Sequence, residues 1–287
     1  LKYLKKKTSF LDISIFAIMQ NQIKSLQNDK IKFLTQLKEK SRVRRKEKLF
    51  IIEGKREIIL AIQGGYEVTQ LYYCPSIINV KEVLSIVTTF KNKVELFEIT
   101  IEIYQKLAYR VTTEGIIALV VSKDTSIENF VLPSKNPLIL IAEAPEKPGN
   151  IGALLRTADA AQLDAVLIAD PKTDIYNPNI IRSSVGCIFT NNIATGSTFD
   201  IINFLKKQKI HIYGAALQAS VDYHTQDYTQ PTAIVVGTEA TGLSNSFLEN
   251  TTQNIKIPMS GIIDSMNVSV AAGILIFEAK RQRGFNN

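Results

Sequence analysis

Residues 138–144, LILIAEA, put five apolar side chains in unbroken succession before the first acid. A strand that is apolar on both faces has no side to give to water. It belongs inside a parallel sheet with helices over both faces. The segments that follow keep to that requirement. A helix at 151–161, a strand at 165–170, a helix near 178–185, a weak strand near 188–194 and a helix at 199–208 are expected in turn. Strands at 211–217, 232–237 and 254–258 and a closing helix at 267–283 complete the pattern. This is a doubly wound α/β domain, whose ligands sit beyond the carboxyl ends of the strands. The closing helix is apolar around most of its circumference, at Val268, Val270, Ala271, Ile274, Leu275 and Phe277, and is expected to be buried all round.

Upstream, 287 residues leave room for a second domain. One helical pattern runs from Ile23 to about Lys48, through Leu26, Ile31, Leu34 and Leu37. Strands at 49–54, 68–74, 94–99 and 115–121 alternate with helices at 55–65, 80–90 and 101–108, which describes a small α/β domain. The polar, proline-containing stretch that follows reads as a linker. The expected division is therefore 19–122, a linker at 123–137, and 138–287. Residues 1–18 read as an upstream extension, with Met19 as the natural start, and the intact mass from the native host decides this.

Charge is unevenly placed. Residues 1–56 carry 16 basic and 5 acidic side chains, whereas the rest of the chain is mildly acidic. A basic arm on an acidic body points to a polyanionic partner held in a salt-dependent way. Within KEKSRVRRKEK (38–48), Arg42, Arg44, Arg45 and Lys46 are the candidate phosphate contacts, against the plainer reading of a solvated helix face. Cys74 and Cys187 form no CxxC pair, so neither a disulfide framework nor a cysteine-based zinc site is expected. His211 and His224 lie outside every motif, and no metal is expected. No apolar run reaches the 18 or so residues of a membrane span, and the expected location is the cytoplasm.

Chemistry concentrates at three strand-to-loop transitions. In EAPEKPGNIGALLRTADAA (143–161), Pro148-Gly149 makes a turn and Asn150 is placed to cap the helix. Arg156 points away from the apolar stripe of Ile151, Leu154, Leu155 and Ala158, and lies about a turn from the strand-end loop, beside the expected crevice. Taken alone, it is a solvated arginine. In IVVGTEATGLS (234–244), Gly237 and Gly242 permit close backbone approach. Leu243 stands where a phosphate loop needs lysine, and no GxGxxG follows a strand. In IKIPMSGIIDSMNVSVAAGILIFEA (255–279), Ser265 or Asn267 is a natural helix cap.

Together the three segments resemble the SpoU/TrmH-type RNA 2′-O-ribose methyltransferases of the SPOUT superfamily. Asn150, Gly152 and Arg156 match its first motif, N-x-G-x-x-x-R. Gly237, Glu239 and Gly242 match the second, G-x-E-x-x-G-L-S. Ile257-Pro258 and Ser265-Met266-Asn267-Val268-Ser269 match the third, with Met266 where the family usually has leucine. The lead-in EKPGN departs from the usual DP-x-N. FIIEGKREIILAI, VTQLYYC and VTTEGIIALVV are similar to the ribosomal-protein-like RNA-binding domain that many of these enzymes carry.

The resemblance implies a trefoil knot in the C-terminal domain, S-adenosylmethionine as cofactor, and a homodimer acting on RNA, ribosomal RNA by analogy. It implies cofactor contacts from Gly237, Ile257, Ser265 and Met266, and catalytic roles for Arg156, Asn150, Glu239 and Asn267. Arginine stays protonated in proteins, so Arg156 is read as a phosphate ligand that stabilises the developing alkoxide, not as the base. Two rivals stand beside this reading. One is a non-catalytic RNA- or ribosome-binding protein on the same fold, and the other an enzyme using a nucleotide cofactor in an ordinary doubly wound fold. The Asn150, Arg156, Glu239 and Asn267 set argues against the first, and the missing glycine fingerprints against the second.

Overall fold

Asn28 starts the first helix by accepting the amide of Lys30 at 3.0 Å. In a computed structural model, which describes residues 21–90, 92–109, 114–262 and 265–285, that helix is α1 (Asp29–Glu39), with Ile31, Leu34 and Leu37 fully buried. The expected continuous helix over 23–48 is split. Gln22–Ile23 is a short strand, β1, and Lys40 turns extended at φ −115° before α2 (Ser41–Glu47) begins. The fold-back is fastened by Arg44, whose guanidinium donates to the carbonyls of Leu37 at 2.6 Å and Lys38 at 3.2 Å. Those carbonyls are the unpaired acceptors at the end of α1, where a cation is favoured. Residues 1–18, expected as an extension, lie outside the described residues.

The chain divides into two compact units between Lys123 and Asp124. The first continues with β2 (Leu49–Glu53), α3 (Lys55–Gln63), β3 (Val68–Tyr73), α4 (Val80–Val87), β4 (Glu95–Ile99), α5 (Ile101–Leu107) and β5 (Ile116–Val121). Its sheet has the order β1-β4-β3-β5-β2, parallel from β1 to β3 and antiparallel at β5. One core under this sheet joins Ile31, Leu34 and Leu37 to Tyr72, Phe97, Ile103 and Leu119.

The second unit holds β6 (Leu138–Glu143), α6 (Pro148–Ala160), β7 (Ala165–Ala169), α7 (Pro178–Ser183), β8 (Ile193–Gly196), α8 (Thr198–Lys207), β9 (His211–Ala215), β10 (Val221–Asp222), β11 (Thr232–Val236), α9 (Asn245–Leu248), β12 (Gln253–Lys256) and α10 (Val268–Gln282). Its seven strands run in the order β10-β12-β9-β11-β6-β7-β8, and every pairing is parallel. Ile139, Ile141, Ala233 and Val235 face one core with Leu205 and Phe247 from α8 and α9. The alternate residues Leu140, Ile234 and Val236 are also buried, and α6 and α10 pack over that other face. Both faces are covered, as the LILIA run requires.

Two further expectations change. Residues 124–137 are no free linker, because Ser126 bridges Thr195 beside β8 and Ile127 is 4% exposed in the second core. Arg283 also holds the end of this stretch. Its guanidinium donates to the carbonyls of Asn136, Pro137, Tyr228 and Gln230 at 2.6–3.2 Å. Nor is α10 buried all round. Ala272, Leu275, Ile276 and Ala279 are buried, but Val270 and Phe277 are 54% and 43% exposed. Among the described residues, no helix is long and apolar enough to cross a membrane.

Candidate functional site

Strands β6 and β11 are neighbours, with Val236 opposite Ala142, so their carboxyl ends open side by side. After β11 the chain closes on itself. The amide of Thr238 donates to Gly242 O at 3.0 Å, and the amide of Gly242 returns to Thr238 O at 3.1 Å. Gly242 reaches this turn through a left-handed φ of +68°. A side chain on Gly237 would fall inside contact distance of the Gly242 carbonyl and 2.5 Å from the amide of Leu243. The close approach that Gly237 permits is thus made by the chain's own backbone. Glu239 sits at the tip of the turn.

The far end of this loop is fixed by a residue that sequence reasoning passed over. Glu143, last in β6 and 5% exposed, accepts the amide of Ser244 at 2.8 Å and its hydroxyl at 2.6 Å. The hydroxyl of Thr198 lies 3.1 Å from the same carboxylate. An acid closing an unbroken apolar strand was the available signal, because a buried carboxylate is kept only with donors around it.

Helix α6 begins at Pro148, three residues earlier than expected, with Lys147 as its flanking residue and no side-chain cap. Asn150 therefore lies inside the first turn and is not the cap. Its amide is released for other work, and Nδ2 donates to Glu239 Oε1 at 2.9 Å. Gly152 lets α7 approach this turn. A Cβ there would meet the Ser183 hydroxyl and lie 2.6 Å from the amide of Ser184. Asn267 does cap α10, its Oδ1 accepting the amide of Ser269 at 2.9 Å. Its Nδ2 points the other way, 3.3 Å from both Glu239 Oε1 and Asn150 Oδ1.

One carboxylate thus gathers residues from all three segments. Lys147 pairs with the second oxygen, Oε2. Hydrogen bonds from Lys147 and Asn150 hold the Glu239 carboxyl below its ordinary range, and Glu239 raises Lys147 in turn. Beside the cluster is a cavity of about 180 Å³ with Ala142, Leu154, Val236, Gly237 and Val268 in its walls.

Not every expected residue joins it. Arg156 is exposed on α6 and makes no hydrogen bond or ion pair to a described residue. Ile257 and Met266 are half-buried and Ser265 is exposed, all outside the cavity wall. In the first unit Arg42, Arg45 and Lys46 are exposed, but Arg44, at 4% exposure, is the fastener of α1 and not a phosphate contact. Among the described residues no group of three or more histidine, cysteine or acidic side chains is arranged to hold a metal.

Residues 137–277 match the SpoU rRNA Methylase family, and residues 28–118 match the MRM3-like substrate binding domain. A 23S rRNA (guanosine(2553)-2′-O)-methyltransferase of Bacillus subtilis is 29% identical over 259 residues, covering 90% of this chain and 99% of that protein. A crystal structure described as an RNA 2′-O ribose methyltransferase is 36% identical, covers 91% of this chain and 99% of that one, and superposes with a TM-score of 0.78. The AdoMet-bound rRNA methyltransferase of Sinorhizobium meliloti is 25% identical, covers 91% and 97%, and gives a TM-score of 0.84.

Proposed function

The chain belongs to the SpoU rRNA methylase family, and from that premise we propose that it methylates a ribose 2′-hydroxyl of structured RNA with S-adenosylmethionine. Large-subunit ribosomal RNA is the substrate class, in keeping with the 23S rRNA enzyme of Bacillus subtilis. The observation that carries the reading is the meeting of Asn150, Glu239 and Asn267, from three separate segments, on one carboxylate beside a cavity.

Bound there, S-adenosylmethionine supplies an electrophilic methyl group on a sulfonium. The cavity suits such a group, with apolar walls at Ala142, Leu154, Val236 and Val268 and an ionised carboxylate at its rim. Gly237 in the cavity wall, with Ile257, Ser265 and Met266 beyond that wall, are the proposed cofactor contacts. Glu239 fixes the amides of Asn150 and Asn267, and its two oxygens are already occupied by three donors. Its proposed role is to hold geometry, since a carboxyl kept below its ordinary range is a poor acceptor for the ribose proton. Arg156 is the proposed ligand of an RNA phosphate beside the reacting ribose.

Methyl transfer from labelled S-adenosylmethionine to host RNA, with ribose-methylation mapping in cells with and without the gene, tests the whole. One missing 2′-O-methyl mark is the expected result. A chain that binds RNA but transfers no label is instead the non-catalytic binder.

The first unit supplies RNA contacts in this proposal, through Arg42, Arg45 and Lys46. Replacing all three with glutamine is expected to lower the slope of log affinity against log salt by about 2–3, since each released phosphate contact removes about 0.7–0.9. An unchanged slope assigns them to a solvated face.

The trefoil knot and the homodimer belong to the same proposal. The junction of Glu239 with Asn267 supports the knot, because it draws together the loops after β11 and β12. Tracing the chain in a crystal decides it. The exposed Val270 and Phe277 of α10 support a second copy of this chain as the partner, since they lie with Ile274 on one side of the helix, away from the buried Ala272 and Ala279. Sedimentation is expected to give twice the chain mass, and Phe277→Glu half of that. A monomeric parent chain sinks the dimer.

A further inference from the structure

We propose that Lys147 is a positioning residue of the transfer reaction: its ammonium takes Oε2 of Glu239, leaving Oε1 to gather Asn150 and Asn267. The effect on turnover rests on the methyltransferase reading. The effect on Glu239 itself does not.

Three features separate this contact from an ordinary surface ion pair. First, Lys147 flanks the amino end of α6, the positive end of a helix, where a lysine is unfavourable. The first turn of α6 contains no acid to offset it. The compensating anion arrives from another loop, at Glu239, which is 92 residues away in sequence. Second, Pro148 follows at once and fixes the local backbone, so the lysine stem leaves the helix in a restricted direction. Third, the acceptor is shared. The carboxylate that Lys147 holds is the one on which the amides of Asn150 and Asn267 converge, and Lys147, Asn150 and Glu239 all line the cavity.

The geometry gives Lys147 a directional task. A carboxylate with only Oε1 engaged is free to rotate about its last bond and offer either oxygen to the two amides. With Oε2 taken, the rotation is arrested, and the Asn150 and Asn267 side chains have one arrangement in place of several. Among the described residues, the other charged group acting on Lys147 is Glu146, on the same loop and also in the cavity wall.

The test uses the full-length chain carrying Lys147→Ala, Lys147→Met or Lys147→Arg. Because the lysine side chain is 69% exposed, thermal midpoints are expected to stay near that of the parent, and the methionine variant keeps the stem should the alanine variant fold poorly. In carbon-detected NMR, the carboxyl of Glu239 is expected to titrate at higher pH in the alanine and methionine variants and to stay low in the arginine variant. Turnover is expected to fall about 10–100-fold in the first two, with KM for RNA and for S-adenosylmethionine little changed, and to recover in the third. Lys147→Ala in a Glu239→Gln background is expected to cost far less than in the parent.

An unmoved Glu239 titration overturns the proposal whether or not the parent chain is active. Parent-like turnover in the alanine variant, or a loss carried by KM alone, overturns the positioning role. A parent chain without methyl transfer refutes the enzymatic reading instead, and the titration still decides the contact.

Discussion

Gly237→Ala is expected to lower methyl transfer more than about 100-fold, while Gly242→Ala leaves a weakened but working protein. The two glycines belong to one motif and differ in the reason for being glycine. A Cβ on Gly237 collides with the carbonyl of Gly242 and the amide of Leu243, which are backbone groups with no rotamer to escape into. The turn must open, and its paired bonds between Thr238 and Gly242 go with it. Leu243 belongs to the core with Phe247, so the disturbance also reaches a packed region, at about 1–3 kcal/mol for overpacking. Glu239 is two residues away. A shift of about 1 Å at its carboxylate breaks the alignment of Asn150 and Asn267, and misplacement of that size costs about 100-fold in rate. Gly237 itself lines the cavity, so the wall moves with the turn and the loss exceeds about 100-fold. Gly242 has open space around its Cβ position and only an unfavourable φ, a penalty of about 1–2 kcal/mol. Calorimetry with S-adenosylmethionine and a labelled-methyl assay on both variants are the measurements. Equal behaviour of the two would refute the distinction.

The parallel sheet was legible because a strand apolar on both faces has one environment open to it, and LILIA and IVV both end where the site begins. The three motif segments were legible as strand-to-loop transitions. What they do to one another was not. Asn150 reads as a cap because Pro148-Gly149 reads as a turn, yet proline is equally at home in the first helical position. That shift of three residues turns a capping side chain into a bridging one. Asn267 is cap and bridge at once, through different atoms, which a one-letter code has no means to express. Arg44 stands in a run of seven basic residues whose composition is uniform, and only the break at Lys40 picks it out for burial. On α10, Val270 and Phe277 carry the same apolar letters as Leu275 and Ile276. Periodicity does not separate an apolar face turned to its own core from one turned outward. Lys147 gave no signal beyond its departure from the usual lead-in, because an ion pair across 92 residues leaves no local pattern.

Arg156→Ala is expected to lower kcat by about 100–10,000-fold while changing the dissociation constant for S-adenosylmethionine less than about threefold. Arg156 lies six residues beyond Asn150 on α6, about 9 Å along the axis, and it remains exposed with no hydrogen bond to a described residue. A guanidinium is always charged, offers five donors and accepts nothing. In the proposed role its partner is an RNA phosphate. A ribose in RNA is flanked by phosphates, and in that role negative charge develops beside the same group as the 2′-oxygen loses its proton. An arginine held by a phosphate in the ground state and sharing charge with the alkoxide later stabilises the second state more than the first, which is the condition for lowering a barrier. Arg156→Lys is expected to recover little, since an ammonium lacks the planar fork that addresses two oxygens together. The alternative, a solvated arginine with no part in the reaction, predicts parent-like turnover in both variants. A loss confined to KM for RNA assigns Arg156 to binding alone. The proposed role requires the loss in kcat, because only an interaction that strengthens as the oxygen becomes charged appears there.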